Sequence, residues 1–144
     1  MTDARALEHR AVLAALEAIR HAVEVRGKSA AIAIADAHGE LLAFVRCDGA
    51  LVSSGPLAVN KAFTAARLQR PTRVLGETLR AKGADIAFYG DARYVGFGGG
   101  LPVRLNGIVV GGVAVSGLSD EEDETLAAMG VAMLQGDAPP TVSA

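Results

Sequence analysis

The chain has 144 residues, of which 51% are hydrophobic and only 4% aromatic, so it can bury a core without disulfides or structural metals. Its formal net charge of −2 gives no bulk electrostatic attraction to nucleic acid. Its single cysteine, Cys47, excludes an intrachain disulfide and a cysteine-based zinc cluster.

The first residues of the chain and its hydropathy indicate the cellular location of the protein. The first ten residues are charged and lack the apolar segment of a signal peptide. No uninterrupted apolar run approaches the roughly 20 residues that span a bilayer. We expect a cytoplasmic protein without a membrane partner, with one domain over residues 1–135 and a flexible tail over residues 136–144.

The first half of the chain predicts a helix, a β-hairpin and a second helix. Polar and apolar residues of the first segment fall on opposite sides of a helix, which Gly27 ends. In the next segment Ile32 and Ile34 alternate with alanines, so this strand has a large-residue face and a small-residue face. A serine cap and Pro56 begin the second helix. The predicted bounds are 3–26 (helix), 29–35 and 40–45 (strands around the turn 36–39) and 56–69 (helix).

The second half predicts a helix, an irregular region, a second hairpin and a final helix. The irregular region ends in a stretch, 96–100, that is too rich in glycine for a regular element. Asn106-Gly107 between two β-type segments is a strong hairpin signal. Ser119 caps the final helix, whose first turn is acidic. The predicted bounds are 72–82 (helix), 85–100 (irregular), 101–105 and 108–116 (strands) and 119–134 (helix).

The order of elements, α-ββ-αα-ββ-α, contains hairpins rather than βαβ crossovers. We therefore predict an α+β fold with an antiparallel sheet and helices on its faces. The small-residue face of the sheet predicts a helix packed close against it.

Arg46, Asp48 and Lys61 are candidates for binding an anionic small molecule. Arginine offers a planar fork for a carboxylate, and lysine offers a compact point charge. The alternative is structural, with a local Arg46–Asp48 pair and a salt bridge from Lys61 to an acidic residue such as Asp123.

Two further features admit a functional and a plain interpretation. Cys47 is a candidate nucleophile or metal ligand beside Arg46, or a passive, half-buried thiol. The glycines before Leu101-Pro102 are candidates for an anion-binding nest or a pocket-lining loop. They do not form a phosphate-binding P-loop, because no Gly-Lys-Ser/Thr ending follows. A tight subunit contact is the alternative for these glycines.

A series of short motifs along the chain resembles the GlcG/HbpS family, which also includes the C-terminal domain of PduO-type proteins. The individual motifs are short, but their joint order and spacing are specific and cover residues 5–135. The motifs are Asp36-x-x-Gly39, Arg46-x-Asp48-Gly49-Ala50, Lys61-Ala62-x-Thr64-Ala65, Gly99-Gly100-x-Pro102 and Val115-Ser116-Gly117, with Asp123 six residues further on. Two positions depart from the family pattern, Cys47 and Glu122.

The resemblance implies a fold, an assembly and a ligand. It implies a profilin-like, three-layer α/β/α fold, a homo-oligomer that is often an octamer, and binding of haem or a related tetrapyrrole. It places His21 on the first helix, where PduO-type relatives carry the histidine that ligates haem iron. The alternative for His21 is an exposed side chain paired with Glu17, four residues earlier.

The same resemblance adds motif residues to the list of candidates. Asp36 and Asp123 are candidates for general acid–base chemistry, with turn stabilisation and helix-dipole pairing as their respective alternatives. The motif residues that we expect to contact the ligand are Gly99, Gly100, Pro102 and Ser116, together with Arg46, Asp48 and Lys61.

The sequence is compatible with three functions. The first is a small-molecule-binding oligomer with haem as the leading ligand. The second is a cofactor-independent lyase, isomerase or hydratase that acts on a small acidic or aromatic metabolite in an interface pocket. Such an enzyme would hold the anion with Arg46 or Lys61 and use Asp36, Cys47 or Asp123 for proton transfer or attack. The third is a structural or regulatory oligomer without ligand chemistry.

Overall fold

Two hairpins form one four-stranded antiparallel sheet in the computed structural model, which describes residues 6–138. The first hairpin pairs β1 (Ala31–Asp36) with β2 (Leu41–Arg46), and the second pairs β3 (Gly100–Leu105) with β4 (Ile108–Ser116). Both residues of the Asn106-Gly107 turn have positive φ, 53° and 77°, as a type I′ hairpin requires. β1 and β4 pair in the centre, so the sheet order is β2-β1-β4-β3.

The described residues also form four α-helices. They are α1 (His9–Val25), α2 (Ser54–Leu68), α3 (Thr72–Lys82) and α4 (Asp120–Gln135). Helices α1 and α4 cover one face, where Ile32 and Ile34 join the main core. Helix α2 covers the other face, where the alternating alanines of β1 pack against its own alanines. The predicted α+β class, the three-layer α/β/α arrangement and the two unlike faces of β1 are confirmed.

The small-residue face brings α2 very close to the sheet. A Cβ atom added at Gly112 of β4 would lie 2.5 Å from the carbonyl oxygen of Ala62 in α2. A Cβ atom added at Gly100 of β3 would lie 2.6 Å from the carbonyl oxygen of Lys61. Glycine is therefore required at these positions because the helix backbone occupies the space of a side chain.

Several predicted boundaries are wrong. Helix α1 begins at His9, because Glu8 is extended, so the helix predicted over residues 6–8 is not formed. The predicted start, Asp3, lies outside the described residues. The side chain of Ser53, the residue before α2, makes no capping hydrogen bond. In contrast, the predicted cap of α4 is confirmed, since the Ser119 hydroxyl accepts a hydrogen bond from the Glu122 N–H.

The glycine-rich region and the tail also differ in detail from the prediction. The region predicted as irregular contains a 3₁₀ helix, Ile86–Tyr89, and Gly100 already belongs to β3. Helix α4 ends at Gln135, directly before the predicted tail, whose residues 139–144 lie outside the described ones. Within the described residues, none of the helices has the length and apolar character needed to cross a membrane.

Candidate functional site

A cavity of about 400 Å³ opens between α1 and the end of β2, a size typical of small-molecule sites. The antiparallel register places Ala31 opposite Arg46, so the loop before β1 lies beside the loop after β2. The lining residues are Arg20, Val23 and Glu24 from α1, Lys28 from the following loop, and Val45, Arg46, Cys47 and Asp48. Of the sequence-predicted residues, the cavity wall includes the consecutive Arg46, Cys47 and Asp48.

Two of the three cations around this cavity already have carboxylate partners. The Arg20 guanidinium donates to both oxygens of Glu17 at 2.7 Å and also to Glu24. Lys28 Nζ lies 2.7 Å from Glu122 Oε2. These pairs satisfy Arg20 and Lys28, so neither is the first choice for an incoming anion.

Arg46 is the cation that is left without an ionic partner. Within residues 6–138, no salt bridge or hydrogen bond engages its guanidinium, and the alternative Arg46–Asp48 pair does not form. Its exposed side chain also borders a second recess, an open groove of about 690 Å³ on the side of β2 that faces α2. The groove is largely apolar and is lined by Phe44, Val52, Gly55, Pro56, Val59 and Asn60 in addition to Arg46. The Arg46 guanidinium, without an ionic partner among the described residues, therefore lies between a polar cavity and an apolar groove.

Cys47 is held at the rim of the sheet by its backbone. Its N–H donates to the Ala30 carbonyl oxygen at 2.9 Å, which extends the β1–β2 pairing by one residue. Its half-buried thiol packs against the main core and lines the cavity. The thiol is therefore available to a molecule bound in the cavity, directly beside Arg46.

His21 lies on the exposed side of α1, outside the residues that line the cavity. The Arg20 hydrogen bond lowers the pKa of Glu17 below its usual range, and the charge of His21 contributes a smaller decrease. His21 is thus an exposed histidine near Glu17, one residue along α1 from the cavity-lining Arg20.

Lys61 and Asp123 form an ion pair in the interior rather than at the cavity. Lys61 Nζ lies 3.3 Å from Asp123 Oδ2, and 3.1 Å from the Val115 carbonyl oxygen to which it donates. The other oxygen of Asp123 accepts the Leu118 N–H at 3.1 Å. Burial raises the pKa of the Asp123 carboxyl above its usual range, and the Lys61 ammonium opposes this rise. The alternative interpretation of Lys61, a salt bridge to Asp123, is confirmed.

The glycine motif packs around this buried pair. A Cβ atom added at Gly99 would lie 2.6 Å from the Val115 oxygen and 2.8 Å from Lys61 Nζ. The Gly100 N–H donates to Thr72 Oγ1 at 3.0 Å, within the interior. Pro102 and Ser116 are also buried. The structure brings Gly99 and Gly100 to Lys61 and Asp123, and separates this group from the Arg46 cavity.

Asp36 occupies the turn between β1 and β2. Its Oδ1 atom accepts the N–H groups of His38 and Glu40 at 2.9 and 3.0 Å. These bonds support the turn-stabilising interpretation, because a carboxylate that bonds backbone N–H groups two and four residues later shapes a turn.

Three charged residues of the cavity wall were not among the predicted site residues. Arg20, Glu24 and Lys28 line the cavity, but sequence reasoning did not select them. The hairpin register offered a signal for Lys28, since residues before Ala31 must lie opposite residues after Arg46. Within residues 6–138, no group of three or more His, Cys, Asp or Glu side chains is placed to hold a metal ion.

The chain is similar to proteins of known sequence and structure along nearly its whole length. The family described as "Haem degrading protein HbpS-like" matches residues 7–132. An uncharacterised 15.0 kDa protein from Citrobacter freundii is 38% identical over 124 residues, which cover 80% of this chain and 85% of that protein.

Two solved structures share this fold closely. A double mutant of Streptomyces reticuli HbpS is 32% identical with a TM-score of 0.83, covering 93% of this chain and 90% of the other. The crystal structure of a PduOC:haem complex is 29% identical with a TM-score of 0.81, covering 89% of this chain and 94% of the other.

Proposed function

Because this chain belongs to the HbpS-like family, we propose that it binds haem or a related tetrapyrrole beside Arg46. The observation that carries the proposal is the guanidinium of Arg46, which lacks an ionic partner among the described residues and lies between a polar cavity and an apolar groove. Tetrapyrroles such as haem combine an apolar ring with carboxylate side chains. The arginine fork suits those carboxylates, and the groove suits the ring.

The donor atoms of this region fit haem better than a bare metal ion. Haem supplies four nitrogen ligands of its own, so the protein needs to provide only an axial ligand. His21 on α1 and the Cys47 thiol in the cavity are two candidate donors. We propose His21 as the ligand, because PduO-type relatives carry the haem-ligating histidine on the first helix and His21 is exposed there. Helix α1 and the groove lie on opposite faces of the sheet, so the His21 that coordinates a ring in the groove belongs to a second copy of the chain. Bound haem would supply one-electron and dioxygen chemistry.

We further propose that the protein is a homo-oligomer, as the solitary chain leaves apolar side chains in water. Leu51 and Val52 are 73% and 74% exposed, and Phe44 in the adjoining groove is 40% exposed. Contiguous apolar patches of this kind mark association sites. A second copy that covers the groove would also enclose a ligand held at Arg46.

The oligomer is tested by light scattering coupled to size-exclusion chromatography. We expect a mass several times that of one chain, with an octamer as the specific expectation. Val52→Asp should lower the mass, because a buried unpaired charge opposes association. Leu13→Asp is the matched control, since Leu13 is a 56% exposed apolar residue on α1. A monomeric wild-type protein would contradict the proposal.

The ligand is tested by titrating the purified protein with hemin and recording the Soret band. We expect a saturable, stoichiometric shift that His21→Ala abolishes and that His9→Ala, on the same helix, leaves intact. Arg46→Gln should weaken uptake about tenfold, as loss of a charge-assisted hydrogen bond does. Arg10→Gln, an exposed arginine on α1, controls for the change in net charge. Hemin should also slow alkylation of Cys47, which lines the cavity.

The possible results of the titration distinguish between the two candidate axial ligands and between specific and nonspecific uptake. Saturable uptake that survives His21→Ala but not Cys47→Ala would transfer the axial ligand to the thiol. Uptake that is featureless and does not saturate would overturn tetrapyrrole binding as the function.

The second candidate is a cofactor-independent lyase, isomerase or hydratase for a small acidic or aromatic metabolite. The contiguity of Arg46 and Cys47 in one cavity favours it, because a cation can hold the substrate while a thiol attacks it or transfers a proton. Lys61 and Asp123 bond to each other in the interior, which leaves the catalytic work to Arg46, Cys47 and Asp48. Failure of specific hemin binding would make this enzyme the leading candidate. Unchanged kinetics in Arg46→Ala would then exclude it.

A further inference from the structure

A second group of cationic side chains lies where α2 ends, and it lines neither recess beside Arg46. Arg67 Nε donates to the Tyr94 hydroxyl at 3.2 Å, and Arg70 Nη2 donates to the Tyr89 hydroxyl at 3.2 Å. The two tyrosine rings meet edge to face with their centroids 5.8 Å apart. Arg67, Arg70, Tyr89 and Tyr94 are called the Arg–Tyr cluster below.

Neither arginine of the cluster has a carboxylate partner among residues 6–138. Arg70 Nε is moreover buried without any hydrogen-bond partner. Leaving a buried donor of a charged group unpaired is costly, and such groups are normally satisfied by an acceptor. The cluster therefore has a buried donor for which residues 6–138 provide no acceptor.

The tyrosine hydroxyls add to this shortage of acceptors. Each hydroxyl accepts a hydrogen bond from an arginine, but a phenol also carries a proton that it can donate. The cluster thus offers two guanidinium groups and two hydroxyl protons, held together by the ring contact between Tyr89 and Tyr94.

The charged groups around the cluster neutralise it only in part, although Asp91 lies within electrostatic reach of Arg67. Asp91 is engaged by Arg93, whose guanidinium donates to both carboxylate oxygens at 3.1 and 2.9 Å and lowers the pKa of Asp91 to about 2. Arg104 Nη2 donates to the Gln69 carbonyl oxygen at 2.7 Å, next to Arg70. The surroundings therefore add positive charge, although the chain as a whole is net negative.

From this arrangement we infer that the Arg–Tyr cluster binds a phosphate dianion, either free or at the end of a monoester. A phosphate group has three strong acceptor oxygens and a charge close to −2 at neutral pH, which matches two guanidinium groups that have no carboxylate partner among residues 6–138. A single carboxylate has one negative charge and two oxygens, so it would leave part of the cluster unsatisfied. The site is separate from the proposed tetrapyrrole site and does not depend on it.

The inference is tested by titrating the full chain with inorganic phosphate at constant ionic strength. The arginine Nε–H resonances in NMR spectra report on the cluster, and calorimetry gives the affinity. We expect saturable binding that moves the Arg70 Nε–H resonance. Arg70→Gln and Arg67→Gln should each weaken binding by about tenfold, and Tyr89→Phe, which removes only a hydroxyl, by a smaller factor. Arg10→Gln makes the same change of net charge at a distant exposed arginine and should leave the affinity unchanged.

Parallel titrations distinguish the possible ligands. Glycerol phosphate that binds more tightly than inorganic phosphate would assign the site to a monoester, and the reverse order to the free ion. Succinate that binds as tightly as phosphate, or phosphate binding that Arg46→Gln abolishes while Arg70→Gln preserves it, would overturn the inference. Equal losses of phosphate affinity in Arg70→Gln and Arg10→Gln would also overturn the inference. Hemin uptake by Arg70→Gln should match wild type, so the two proposals succeed or fail separately.

Discussion

Replacing Lys61 by methionine is expected to lower the free energy of unfolding by about 3–5 kcal/mol. The side chains of Lys61 and Asp123 are only 3% and 2% exposed, with 3.3 Å between Nζ and Oδ2. Removing the ammonium leaves the Asp123 carboxylate in the interior without its counter-charge, and such a charge destabilises the native state far more than a lost contact does.

Urea denaturation of the variant measures this loss. Lys28→Met is the matched control, because the Lys28–Glu122 pair lies at the surface and is worth at most about 1 kcal/mol. The double variant Lys61→Met/Asp123→Leu should recover most of the stability, since it removes both buried charges. A Lys61→Met protein as stable as Lys28→Met would contradict this account of the pair.

The loss of stability in Lys61→Met should depend on pH in a defined direction. Burial raises the pKa of Asp123 in the native state, so between its ordinary and its raised pKa the native state binds more protons than the unfolded state. The stabilisation that Asp123 contributes is therefore fully present below the ordinary aspartate pKa. It is lost as the pH rises through the raised pKa. Without Lys61 the rise in pKa is larger, so the stability deficit of Lys61→Met should shrink as the pH is lowered. A deficit that grows on acidification would be the opposite of this expectation.

Substituting alanine for Gly112 is expected to lower the free energy of unfolding by about 2–3 kcal/mol, the upper part of the usual range for overpacking. The new methyl group would lie 2.5 Å from the Ala62 oxygen and 3.1 Å from the Ala66 nitrogen. Both are backbone atoms of α2, so relief requires the whole helix to move away from the sheet rather than one side chain to rotate.

Thermal and urea unfolding of Gly112→Ala should be compared with Gly55→Ala. Gly55 lies in the first turn of α2, and a Cβ atom there would meet the Phe44 ring at ordinary contact distances, 3.4 Å to Cζ and 4.0 Å to Cε1. Alanine is the better helix former, so this control should stay within about 0.5 kcal/mol of wild type or gain slightly. Equal destabilisation of both variants would show that close packing at Gly112 is not the cause.

Much of the fold was predictable from the sequence because its signals act over a few residues. The Asn106-Gly107 pair specifies a turn with positive φ at both positions, and Ser119 specifies the beginning of α4 through a bond to the N–H three residues later. Alternation in β1 likewise predicted which side chains meet α1 and α4. The helix pattern failed at the beginning of α1, where Glu8 is extended and Leu7 packs against the core.

The candidate sites were predictable only in part, because they join residues far apart in the chain. Motif resemblance selected both Lys61 and Asp123, and the salt bridge was one of two interpretations. Only the packing of α2 and α4 around β4 decided that they bond to each other, 62 positions apart. Likewise, Arg46 and Cys47 were predicted, whereas Arg20 and Lys28 joined them through the hairpin register and the position of α1.

The sequence by itself thus determined the elements, their order and the two unlike faces of the sheet, since hydrophobic period and turn chemistry are local properties. The tertiary structure decided which charges stay without a partner. Arg20 and Arg93 bond carboxylates within four residues, as sequence spacing can suggest, whereas Arg46 has Asp48 two residues later and does not pair with it. Whether an arginine has a partner depends on the distance to every carboxylate in the fold, and that distance is defined only once the layers have packed.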